Sequence, residues 1–275
     1  MTKNLKRFTR TQMMFHFGLI ITFMLLSVTG LAWMYIETSW GQLLAAPFGG
    51  YTGALYVHKI TGLILLVLFG IHIIYTLWNI DWKHFPSSLL GPDTLIFQWR
   101  DVKGFVARLG WIFGLSKQPR FDRWSWWEKF DYWAVWWGLM IVGITGLMLY
   151  NPVLTSEYMP GWLLNIALWV HRIEAILAMA HIFSIHFFIE HWRPHSFPFN
   201  ASMFEGSVDL EHLRKEHPAW VERLEAEGHL QNLLVKPAPV PIRILYFGLG
   251  YALIGLGVFL LIFGLINITL LTLNL

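Results

Sequence analysis

Residues 163–190, LLNIALWVHRIEAILAMAHIFSIHFFIE, form an apolar run that carries His171, His181 and His186. A run of this length crosses a bilayer as a helix, which needs about 20 residues. A neutral imidazole is a good haem-iron ligand, and in lipid it is expensive without a partner. The run 54–78 offers a matching set, with His58 followed fourteen residues later by His72. Fourteen steps of 100° return a side chain to within about 40° of its starting direction, roughly 21 Å further along the axis. His171 and His186 are fifteen apart, a net rotation of about 60° that a modest bend or a π-bulge absorbs. Two facing helices so equipped would hold two iron centres stacked across the membrane. The plainer alternative, histidines that join helices through backbone carbonyls, suits single membrane histidines better than four at matched depth.

The composition agrees with a membrane protein. Of 275 residues 56% are apolar, 17% aromatic and only 13% charged, which is no composition for a water-soluble globule. The absence of cysteine excludes disulfides, iron–sulfur clusters and thioether-linked haem, so any haem is held by histidine. A formal charge of +3 is too small to argue for nucleic acid.

Five spans are expected: Met13 to Ile36, Ala54 to Trp78, Trp133 to Tyr150, Leu163 to Glu190 and Ile244 to Leu271. The first is too long for a signal peptide, and no small-residue cleavage site follows it. Lys3, Lys6, Arg7 and Arg10 precede it, eight basic residues lie in the loop 79–129, and six lie between the fourth and fifth spans. That is eighteen of the twenty, so the positive-inside rule puts the N-terminus in the cytoplasm, both short loops outside and the C-terminus in the periplasm of a bacterial inner membrane. Spans two and four then run parallel, with His58 and His171 near the outer face and His72 and His186 deeper. Within the loop, Asp101 to Leu115 has apolar residues at helical spacing and is expected to lie flat on the interface. Trp124, Trp126, Trp127, Trp133, Trp136 and Trp137 mark an interfacial belt. The expected domains are a haem-binding bundle over 1–190 with the cytoplasmic loop 79–129, a cytoplasmic helical segment over 191–243 interrupted at His217-Pro218, and the fifth span within 244–275. No internal repeat stands out. Gly250, Gly257 and Gly264, seven apart, make a small-residue stripe expected to receive other membrane subunits.

Lys59 and Arg172 are the two remaining cations, and each directly follows an outer histidine. They are placed to neutralise haem propionates; the alternative is interfacial snorkelling. Glu174 is expected to bridge to Arg172 or Lys59. For the inner iron, His186 is one ligand, and His72 and His16 compete to be the other. His181, five residues before His186, lies about 140° round an α-helix and is expected to pack or to line a quinone pocket. A third haem on His16 and His181 is conceivable.

The motifs Met14-Phe-His16-Phe, Thr29-Gly30, Val57-His58, Thr145-Gly146-Leu147-Met148, Val170-His171, Ile185-His186-Phe187, Met203-Phe-Glu-Gly206 and His217-Pro218-Ala-Trp220 resemble the membrane cytochrome b (gamma) subunit of respiratory formate dehydrogenases and nickel–iron hydrogenases. The resemblance covers roughly residues 10–227. It implies four core helices, two b-type haems, a quinone site near the inner haem, an outer pair of His58 and His171, and an inner pair of His16 and His186. His72 and the fifteen-residue spacing look more like the cytochrome b of cytochrome bc and chloroplast b-f complexes, whose ligands lie on two helices. The stretches Phe121-Asp-Arg123 and Glu128-Lys-Phe-Asp-Tyr132-Trp resemble cytochrome b subunits that partner periplasmic multihaem cytochromes. The expectation is an all-α, five-helix membrane protein, four helices forming a di-haem bundle. It would carry electrons between menaquinone or ubiquinone and a periplasmic cytochrome c or iron–sulfur subunit, non-catalytic alone or as the quinone-reactive subunit of an oxidoreductase. The rivals are an anchor of a formate dehydrogenase or hydrogenase and, in another class, a histidine-lined metal or proton transporter.

Overall fold

The computed structural model describes residues 3–193 and 196–267. Its principal helices, in chain order, are α1 (Arg10–Met34), α2 (Tyr51–Trp78), α3 (Trp99–Ile112), α4 (Trp126–Tyr150), α5 (Gly161–Ala180, continued by π-wound turns His181–His186 and Phe188–Trp192), α6 (Leu210–Glu216), α7 (Pro218–Ala226) and α8 (Val240–Ile266), with shorter helices at Ser39–Ala45, Pro152–Tyr158, Ser202–Glu205 and Leu230–Leu233. Five of these, α1, α2, α4, α5 with its extension, and α8, are long and apolar enough to cross a membrane. The expected end of the fifth span at Leu271 lies outside the described residues.

Two starts differ from expectation for local reasons. Helix α4 begins at Trp126 because Ser125-Trp-Trp-Glu128 is a capping box: Glu128 Oε2 accepts from Ser125 N at 2.8 Å, closing back on the helix entrance. Helix α8 begins at Val240 because Pro241 tolerates the first turn, where its missing N–H costs nothing. The break at His217-Pro218 is present as expected, separating α6 from α7.

The chain forms two compact units that interleave along the sequence. One takes described residues 14–73, 135–192 and 248–267, and is built of transmembrane helix. Here α8 is held by Gly257, where an added β-carbon would meet Phe183 Cδ1 at 2.5 Å and Phe187 Cε2 at 2.9 Å, and by Gly264 against Leu31. Gly250 is buried as well. The glycine stripe expected to receive other subunits is therefore covered within the chain at two of its positions, Gly257 by Phe183 and Phe187 and Gly264 by Leu31, because small residues let other helices approach α8 closely.

The other unit takes described residues 3–13, 74–134, 193 and 196–247. Its centre is a small antiparallel sheet that the sequence pattern did not reveal. Strand β1 (Asn4–Lys6) lies between β2 (Ser207–Asp209) and β3 (Leu234–Val235), with Leu5 opposite both Val208 and Leu234. Leu5 is fully buried among Leu213, Trp220, Val221, Leu224 and Leu230. Strands this short show no alternation to read. Arg7, just beyond β1, donates at 2.7 Å to Glu128 and to the Arg123 carbonyl. His217 Nδ1–H donates to the Asp122 carbonyl at 2.7 Å, leaving Nε2 to accept from Arg7 at 3.3 Å.

Candidate functional site

The outer histidines are set by two copies of one device. Thr29 Oγ1 donates to the Leu25 carbonyl, one turn back on α1, at 2.7 Å. Its single proton thus spent, it accepts from Nδ1–H of His58 on α2 at 3.0 Å. Thr145 Oγ1 likewise donates to the Ile141 carbonyl on α4 at 2.7 Å and accepts from Nδ1–H of His171 on α5 at 3.0 Å. The tautomer follows from the proton count: each ring carries its hydrogen on Nδ1 and presents the Nε2 lone pair. The residue after each threonine is glycine, and a β-carbon on Gly30 or Gly146 would come within 3.2 Å of Cε1 of the same ring. The glycine thus opens the slot in which the imidazole lies. The helix pair α1–α2 and the helix pair α4–α5 repeat this arrangement, a structural repeat whose trace in the sequence is the recurrence of Thr-Gly and Val-His at 29–30 and 57–58 and at 145–146 and 170–171.

The two rings face each other with centroids 6.3 Å apart and planes at 74°. Two metal–nitrogen bonds of about 2 Å plus the two ring radii require a separation of about 6.3 Å, which the spacing of these rings matches. The donor set is all imidazole, in a chain without cysteine. These residues fit a bis-histidine b-type haem.

Of the neighbouring charges, Glu174 departs from expectation. Lys59 Nζ donates to the Tyr150 carbonyl at 2.9 Å, capping the C-terminus of α4, and lies 5.4 Å from the Tyr150 ring. Arg172 sits 5.9 Å from the Trp169 ring. Glu174 does not bridge to either: among the described residues it has no ion-pair partner, and its Oε1 lies where a β-carbon on Gly138 would approach to 3.3 Å. The reason is direction, since a side chain one turn past His171 points across to α4.

Deeper in the helices the structure brings together a set that sequence reasoning only half identified. His186 and His191 have ring centroids 6.2 Å apart at 89°. His191 also lies near His16, on α1. His191 lies one residue past the expected end of the span at Glu190, and the expectation of about 140° for residues five apart holds only for an α-helix. The fifteen-residue spacing is absorbed by π winding, as expected. That winding also corrects the separation of about 140° assigned to residues five apart: a π turn bonds residue i to i+5, which brings such pairs nearly into line. The five-residue spacing of His181, His186 and His191 was the available signal. His72 instead packs edge-on to Phe15 at 4.9 Å and beside Trp136 at 5.8 Å.

A family model described as prokaryotic cytochrome b561 matches residues 7–206. No curated protein matches the chain.

Proposed function

Because the chain belongs to the prokaryotic cytochrome b561 family, the cytochrome b family of hydrogenases and formate dehydrogenases, and is accordingly a multi-pass membrane cytochrome that carries electrons across the membrane on b-type haem, we propose that it holds two such haems. The outer one is bound by His58 and His171. The inner one is bound by His186 and His16, with His191 alongside. The observation that carries the reading is the facing pair of Nδ1-protonated imidazoles 6.3 Å apart. Support for His16 over His72 comes from its nearness to His191, which itself adjoins His186, whereas His72 lies between aromatic rings.

When bound, a b haem supplies a one-electron ferric–ferrous couple. The residues of this chain do the rest. Thr29 and Thr145 orient the ligands and hold their tautomer. Gly30 and Gly146 leave room for the rings. Lys59 and Arg172 provide positive charge for propionates, which neither is spending on a carboxylate among the described residues. The apolar helices exclude water.

The electrons are proposed to run between a quinone, menaquinone or ubiquinone, near the inner site and a periplasmic partner, either a cytochrome c or an iron–sulfur subunit. The membrane is the bacterial inner membrane, with the N-terminus cytoplasmic by the distribution of basic residues. A pyridine haemochrome assay on purified protein should give about two haems per chain by this ligand count; extractable haem at zero sinks the reading. His58→Ala or His171→Ala should remove one low-spin haem signal and leave the other. His16→Ala should remove the second signal while His72→Ala retains both, and the reverse result moves the ligand to His72.

A further inference from the structure

Helix α3 carries its polarity the wrong way round for a helix packed on a water-soluble core. The docked side is charged or small. Asp101, 7% exposed, accepts from Lys129 Nζ, 1% exposed, at 2.8 Å. Gly104 lies so close to Phe121 that a β-carbon would come within 3.2 Å of the ring. Arg108 sits 5.5 Å from the Trp127 ring. The outward side is apolar: Trp99, Val102, Val106, Leu109 and, just past the last turn, Phe113 are 40 to 74% exposed. Steps of three and four residues put them in one stripe. A continuous apolar stripe of this kind marks a surface that something covers.

Two observations identify the cover. Lys129 belongs to the first turn of α4, a helix long and apolar enough to cross a membrane, so the buried Asp101–Lys129 pair ties α3 to the beginning of that helix. Lys103 adjoins the stripe and Lys117 follows it; both are exposed, and among the described residues neither has an ion-pair partner. We propose that α3 lies in the plane of the membrane surface. Its stripe rests in the boundary between headgroups and acyl chains, and Lys103 and Lys117 lie on the headgroups of anionic phospholipids. The bulk of the helix sinks on its apolar area, and the lysines add attraction where the surface is negative.

The absence of cysteine makes the test clean. A nitroxide is attached to the full haem-loaded chain at Val106→Cys, and separately at Gln118→Cys as a reference, in vesicles of phosphatidylcholine with phosphatidylglycerol. The expected result is a several-fold higher ratio of oxygen to nickel-chelate accessibility at Val106 than at Gln118. In phosphatidylcholine alone, or with Lys103→Gln and Lys117→Gln together, the Val106 label should become shallower. Nickel reaching Val106 as freely as Gln118 overturns the proposal, since the stripe is then in water. Exclusion of both reagents overturns it too, because a protein then covers the stripe. A depth independent of anionic lipid overturns the assignment of the lysines.

Discussion

Thr29 and Thr145 each spend their only proton on a carbonyl four residues back, and that small commitment decides what the facing histidine can do. A hydrogen bond accepted from Nδ1–H raises the basicity of Nε2 and so favours the ferric state of a bound haem. Thr29→Val or Thr145→Val should therefore raise the midpoint potential of the outer haem by tens of millivolts, the equivalent of about 1 kcal/mol. Thr→Ser at either position should restore it, because serine keeps the acceptor. A redox titration of the visible spectrum checks this, and identical potentials for threonine and valine would show that the hydroxyl does not set the ligand's basicity. Histidines on apolar helices were legible in the sequence as ligand candidates; their threonine partners were not, because a Thr-Gly pair in a span looks like ordinary packing until the ring it faces is known.

At the scale of elements, the π-wound extension of α5 does two things. It carries His186 and His191 to neighbouring positions, and it sets Phe183 and Phe187 against α8. The contact at Gly257 has no spare room. Gly257→Ala should force both rings to shift and should destabilise the packing of α8 by about 1–3 kcal/mol, as overpacking does. Thermal unfolding in detergent, followed by the haem spectrum, should show an earlier transition than in the unmodified chain. An unchanged transition temperature would mean that the rings yield at no cost. The insertion that produces the π winding was anticipated from a spacing of fifteen instead of fourteen, but its consequence for residues five apart needed the observed backbone.

At the scale of the molecule, the unit that contains the sheet is closed by charges from three distant parts of the chain. Arg7, Glu128 and His217 meet there, and His217 is almost wholly enclosed. Burial pushes the His217 imidazole down to about 4, and the Arg7 guanidinium pushes it the same way against the opposing pull of Glu128 and Glu216. The ordinary value for a solvated imidazole, which the unfolded chain approaches, is 6.5. Between those values the unfolded chain binds a proton that the folded one refuses, so stability falls as the pH drops through that window, by up to roughly 3 kcal/mol. Limited proteolysis of the full chain in detergent should cut this unit faster at pH 5 than at pH 7. His217→Gln, neutral throughout, should flatten that difference, and an equal response in the variant would assign the effect to another group.

Five membrane spans, the need for a bend or a π-bulge between His171 and His186 and the asymmetry of basic residues were all readable from the sequence alone. Each depends on hydropathy or periodicity within a single segment, which neighbours in the chain decide. Tertiary structure alone decided the rest. The hydrogen bonds from His58 to Thr29 and from His171 to Thr145 join residues 29 and 26 positions apart. The pairing of Arg7 with His217 spans 210. The N-terminal arm, which reads as a polar basic lead, becomes the middle strand of a sheet because partners two hundred residues away supply its hydrogen bonds. Gly257, which reads as an open face, is filled by Phe183 and Phe187. No local pattern encodes such choices, since an imidazole, a glycine or a three-residue strand is indifferent to its use until another helix arrives beside it.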